Sequence, residues 1–132
     1  MSKAKVLIVE DEPELLQILK DDLEYSGFRT VGHSNGMDAL DFLKKNSNGQ
    51  EMVDAVISDI NMPKMSGIEL LRQVRQSGIN VPFVVYSGYS DTDKATEARS
   101  LGAFEVIEKP YDPEKLLATM VKASELGRNM KK

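Results

Sequence analysis

The chain predicts an α/β fold, a five-stranded parallel sheet with helices on both faces. Three observations carry this. Short apolar runs alternate strictly with stretches of helical periodicity, five of each. The clearest run, Val6-Leu7-Ile8-Val9, is continuously apolar, as in a strand buried on both faces. At 132 residues the chain fits one domain, and no long linker, repeat or low-complexity segment interrupts it. Strand-then-helix order implies right-handed crossovers, so all strand ends point the same way.

The elements follow in order. Val6–Val9 is the first strand. Pro13 opens a helix to about Tyr25, with Leu15, Leu16, Leu19 and Leu23 at helical spacing and Gly27 as its stop. Phe28–His33 is a weaker strand, and Gly36–Lys45 a helix that turns Ala39, Leu40 and Leu43 inward. Asn46 to Gln50 is a turn-rich loop. Ala55–Ser58 is the third strand. Ile68–Arg75 is a helix carrying Ile68, Leu71 and Val74, ended by Ser77-Gly78. Pro82–Tyr86 is a strand, and Asp91 or Thr92 caps a helix that runs to Leu101. Phe104–Ile107 is the last strand. Asp112-Pro113-Glu114 starts the final helix, with Leu116, Leu117, Met120 and Val121 as its apolar face. The domain is expected over 1–126. Residues 127–132, with Arg128, Lys131 and Lys132, are expected to form a short basic tail, solvated and frayed.

Composition narrows the function. There are no cysteines, which removes disulfides, thiolate metal sites and cysteine nucleophiles. No stretch approaches the ~18 apolar residues of a membrane span, and the N-terminus lacks a secretory pattern. These features, with the absent cysteines, set the expected location in the cytoplasm. A net charge of −4 disfavours direct nucleic-acid binding.

The chemistry lies at the strand ends. Glu10 and Asp11 follow the first strand, Asp59 the third, Ser87 and Gly88 the fourth, and Lys109 the fifth. In a parallel sheet these positions converge, and open α/β sheets bind ligands there. Three acids and one lysine leave a local charge of −2, which a divalent cation would offset. An all-oxygen donor set suits Mg²⁺, with Mn²⁺ as a substitute, better than zinc. A carboxylate can be a nucleophile toward phosphorus. Asp59 is therefore a candidate phosphoryl acceptor, with Lys109 and the Ser87 hydroxyl to hold phosphoryl oxygens and Gly88 leaving room beside them. His33 fits no partner pattern, and Met62 and Met65 are expected to pack the loop after the third strand.

The motifs Val-Glu-Asp-Glu-Pro at 9–13, Ser-Asp-Ile-Asn-Met-Pro-Lys-Met-Ser-Gly at 58–67, Ser87-Gly88 and Lys109-Pro110 resemble the receiver domain of two-component response regulators. The resemblance spans about Lys5 to Glu125. Each motif is weak alone, but the ordered set is specific. It implies a flavodoxin-like sheet in the order 2-1-3-4-5, which alternation by itself does not give. It also implies that Asp59 accepts phosphate from a histidine kinase phosphohistidine, a phosphotransfer protein or a small acyl phosphate. Asp11, Asp59 and the Asn61 backbone carbonyl would ligate Mg²⁺, and Glu10 would hold the metal's waters. Lys109 would pair with the phosphoryl group and precede a cis bond to Pro110. Ser87 would turn toward phosphate, pull the loop after the fourth strand, and switch the face of the fourth helix, fifth strand and fifth helix for an unidentified protein partner. Such a module catalyses only its own phosphorylation and dephosphorylation. It is expected as a monomer or weak dimer, acting alone in the manner of a chemotaxis regulator or phosphorelay intermediate, or as a receiver excised from a longer chain.

The sequence departs from the family at Val106. Three residues before the lysine the family usually has an aromatic whose ring swings with the hydroxyl, and valine cannot do this. Tyr86, Tyr89 and Tyr111 are the nearby aromatics that would take its place. Tyr89 is also expected to shield the phosphoryl group from water. Rival readings are weaker. An aspartyl phosphatase would carry a second Asp where Asn61 stands. A flavin-binding domain would not place Glu10-Asp11-Glu12 in its phosphate loop. A non-phosphorylated interaction scaffold would not need all five site residues.

Overall fold

Side chains on successive strand residues point to opposite faces, and the strands use that alternation to build two cores. The computed structural model describes residues 3–47, 52–88, 92–110 and 112–131. Its elements are β1 (Lys5–Val9), α1 (Pro13–Tyr25), β2 (Arg29–His33), α2 (Gly36–Lys45), β3 (Ala55–Asp59), α3 (Gly67–Gln76), β4 (Phe83–Gly88), α4 (Thr92–Ser100), β5 (Glu105–Lys109) and α5 (Pro113–Met130). All four strand pairings are parallel, in the order β2-β1-β3-β4-β5.

Val6 and Ile8, Ala55 and Ile57, and Val84 and Tyr86 pack with Leu19 and Leu23 of α1 and Leu116, Met120 and Ala123 of α5. Leu7 and Val9, Val56, Val85 and Val106 pack on the other face with α2, α3 and Ala98 of α4. The edge strand β2 is only half buried, which accounts for its weak sequence pattern. α4 is the least anchored helix: Ala98 is its only buried residue among those described. Few buried apolar contacts leave an element easiest to shift.

Helix starts follow local chemistry. Asn35, Ser66 and Asp112 cap α2, α3 and α5 by accepting from the backbone N–H of Asp38, Glu69 and Glu114. Pro13 and Pro113 occupy first-turn positions.

Two expectations are corrected. The stretch from residue 127 is not a frayed tail: α5 continues to Met130, and Ser124 and Gly127 are buried. Lys131 Nζ lies 2.9 Å from Asp54 Oδ1, joining the end of α5 to the start of β3. Asp54 also accepts from the Lys5 backbone N–H at 2.8 Å. Val121 lies outside the apolar face and is 40% exposed, while Met120 and Ala123 carry the packing.

Candidate functional site

Three strands run further than the apolar runs suggest, and this sets the site. Asp59, Gly88 and Lys109 are the last residues of β3, β4 and β5. Asp59 is paired in register with Tyr86, and Gly88 with Lys109. Asp59, Gly88 and Lys109 thus stand on hydrogen-bonded rungs, which limits their positional freedom, whereas Glu10 and Asp11 follow the last residue of β1.

Asp59 is nearly buried, 3% exposed. Its Oδ2 accepts from Lys109 Nζ at 3.0 Å, and its Oδ1 from the Asn61 backbone N–H at 3.0 Å. The Lys109–Pro110 peptide is cis. Behind Asp59 the chain turns tightly, and the Gly67 N–H donates to the Ile60 carbonyl at 2.8 Å. A Cβ on Gly67 would lie 2.2 Å from the Asp59 carbonyl oxygen, so only glycine lets α3 start this close to the acid. Met62 and Met65 are buried and pack the same loop. Lys94 of α4 reaches across to donate to Asn61 Oδ1 at 2.7 Å.

Glu10 is fully buried. Its Oε2 accepts from the Glu12 backbone N–H at 3.0 Å, and its Oε1 accepts from the Tyr86 hydroxyl. Ligand oxygens of Glu10, Asp11 and Asp59 lie within 4.8 Å of one another. Three carboxylates at this spacing, two of them buried, are a donor set that fits a hard divalent cation.

Burial is the main cause that raises the Glu10 carboxyl above its ordinary 4.5, and Asp59 adds to it. The hydrogen bonds from Tyr86 and Glu12, and the Lys109 charge, pull the other way. With the folded value above the unfolded one, the stability that comes from protonated Glu10 is complete below 4.5 and lost as pH rises through the folded value. Glu10→Gln is therefore expected to melt above the parent at pH 7 in EDTA, with the gain shrinking as pH falls toward 4.5. Equal or lower melting at pH 7 would contradict this.

Ser87 is buried on the α4 side, where it lines a cavity of about 80 Å³ with Gly88, Thr92, Ala95, Arg99, Val106 and Glu108. The small side chain of Val106 forms part of that wall. Tyr86 does not stand in for the missing aromatic: it points to the opposite face, into the α1 and α5 core, with its hydroxyl on Glu10. Strand alternation carried that signal, since Val85 and Ser87 share one face and Tyr86 takes the other. Tyr89 and Tyr111 lie outside the described residues, as does Asp91. The Tyr86 bond to Glu10 and the Lys94 bond to Asn61 had no sequence signal, because each joins residues far apart in the chain. The His33 ring meets the Phe42 ring at 5.4 Å with a 48° tilt, and the His33 carbonyl accepts from the Glu10 backbone N–H at 3.1 Å.

A family profile described as the response regulator receiver domain matches residues 6–121. The chain is 30% identical over 129 residues to the sporulation initiation phosphotransferase F of Bacillus subtilis (strain 168), covering 98% of this chain and 100% of that protein. It is 34% identical over 125 residues to the transcriptional regulatory protein FixJ of Rhizobium meliloti (strain 1021), covering 95% of this chain and 59% of FixJ. It spans only 26% of the C4-dicarboxylate transport transcriptional regulatory protein DctD of Pseudomonas aeruginosa, at 30% identity over 96% of this chain. Among solved structures, a response regulator receiver domain protein from Clostridium thermocellum superposes with a TM-score of 0.88 at 31% identity, covering 96% of this chain and 98% of that one. With the sheet order, the strand-end acids and these matches together, the chain belongs to the response regulator receiver domain family.

Proposed function

We propose that this domain accepts a phosphoryl group on Asp59 from a phosphohistidine of a histidine kinase or phosphotransfer protein. The observation that carries this is the Asp59 carboxylate at the end of β3, held by Lys109 at 3.0 Å and grouped with Glu10 and Asp11. An Asp59 oxygen attacks phosphorus, the donor's P–N bond breaks, and its electron pair leaves with the imidazole, which takes up a proton. Asp11, Asp59 and the Asn61 carbonyl would ligate Mg²⁺ or Mn²⁺, with Glu10 holding its waters. When bound, the ion would supply positive charge against the acids and the phosphoryl oxygens. Lys109 starts on Asp59 Oδ2 and turns to a phosphoryl oxygen once the acyl phosphate forms. Ser87, with Gly88 beside it, is the hydroxyl that moves toward the new dianion, and the weakly anchored α4 is the element that follows. A protein partner that prefers one arrangement of the α4, β5 and α5 face reads the change. Val106 leaves this motion without a swinging ring.

The net charge of −4 supports protein rather than nucleic acid as the partner. No described helix is long and apolar enough to cross a membrane.

Incubation with acetyl phosphate and Mg²⁺ tests the reading. The expected result is one added phosphoryl group, mapped to the Asp59 peptide and absent from Asp59→Asn. No mass gain in the folded parent would favour an unphosphorylated scaffold.

A further inference from the structure

Tyr86 occupies an unusual place. It is fully buried at the centre of the sheet, in register with Asp59 on one side and Ile107 on the other. A buried hydroxyl is costly unless bonded, and this one donates to Glu10 Oε1. The Glu12 N–H takes Oε2 at 3.0 Å, so Glu10 is anchored at both oxygens and its carboxylate cannot turn. The ring of the same tyrosine lies under the lysine, with Lys109 Nζ 5.0 Å from its centroid while that nitrogen is 3.0 Å from Asp59 Oδ2. One side chain therefore touches both halves of the site, the acids and the lysine.

We infer that Tyr86 is a positioning residue that ties these halves together: its hydroxyl orients Glu10 toward the cation, and its ring face seats Lys109 against Asp59. The inference rests on the divalent-cation reading proposed above and adds a residue to it. Hydrogen bonds that orient a metal-site carboxylate raise affinity because the ligand's geometry is set before the ion arrives.

The test uses MgCl₂ as the probe, by calorimetric titration and by tyrosine difference absorption, on the parent, Tyr86→Phe and Tyr86→Leu. In the parent, Mg²⁺ is expected to perturb tyrosine absorption with the calorimetric midpoint. Tyr86→Phe is expected to lose that perturbation and bind Mg²⁺ about 10-fold more weakly. With acetyl phosphate, its rate deficit narrows as MgCl₂ rises. Tyr86→Leu also loses the ring under Lys109 and stays about threefold slow at high MgCl₂. A folded Tyr86→Phe with parental Mg²⁺ affinity overturns the inference. If the variants do not fold, the parent decides: Mg²⁺ binding that leaves tyrosine absorption unmoved overturns it. A parent that binds no Mg²⁺ overturns the cation reading itself, and this inference with it.

Discussion

Lys109→Met is expected to slow phosphoryl uptake from acetyl phosphate about 100-fold at saturating Mg²⁺. The ammonium sits 3.0 Å from Asp59 Oδ2 and is the one cation the described residues place directly on that carboxylate. Without it the site keeps three clustered acids and loses a partner for a phosphoryl oxygen, so an anionic donor meets more repulsion and less stabilisation. Metal binding should move the opposite way. Removing a positive charge from beside Glu10 and Asp59 leaves a more negative cluster, so Lys109→Met is expected to bind Mg²⁺ more tightly than the parent. Stability should fall as well: the lysine is a third exposed, but Asp59 is nearly buried, and without the ammonium its carboxylate is left beside two other acids. Mass spectrometry over time, with a calorimetric Mg²⁺ titration, separates the effects. Parental uptake in Lys109→Met would remove the lysine from the chemistry.

Gly127→Ala is expected to destabilise the domain by about 3 kcal/mol, despite lying in a helix. In an exposed helix this change stabilises by roughly 1 kcal/mol, because alanine loses less backbone freedom. Here a Cβ would lie 1.8 Å from the Asp54 carbonyl oxygen and 2.7 Å from its carbonyl carbon. Those are backbone atoms held by β3 and by the Asp54 N–H bond to Lys5 O at 2.7 Å, so α5 must move away. Moving it loosens Met120 and Ala123 from the sheet and pulls Lys131 off Asp54. The packing cost exceeds the propensity gain, and the melting temperature should fall by roughly 10 °C. Leu126→Ala, at a side chain 45% exposed, is the control and should shift it little. A Gly127→Ala protein as stable as the parent would mean that α5 packs more loosely at this end.

The site and the end of α5 were legible to different degrees, for physical reasons. Glu10, Asp11, Asp59 and Lys109 could be grouped from sequence because each follows an apolar run, and parallel strands bring such positions to one edge. Basic composition after residue 126 gave a misleading picture of the C-terminus. The group that orders it, Asp54, lies at the far side of the chain, and local composition carries no trace of that pairing. Val121 was misassigned because helical spacing defines a stripe but not its edges. Which residue of a stripe touches the sheet depends on how the helix is rolled against β3 and β4.

Ser87 and Val106 show the same limit in the functional region. Their types and positions were readable, and so was the missing aromatic. The cavity of about 80 Å³ between them, with Arg99 and Glu108 at its wall, is produced by the distance between α4 and β5. No sequence pattern encodes that distance, since α4 has only Ala98 buried to set it.

Element order, the parallel sheet and the convergence of acids and lysine could be read from residue order alone, because they follow from periodicity and from the common direction of the strands. Tertiary structure decided which groups touch. It set Tyr86 on Glu10, Lys94 on Asn61, Lys131 on Asp54, and Ser87 at the cavity beside α4. Those contacts depend on strand register and helix placement, which form only when distant segments pack.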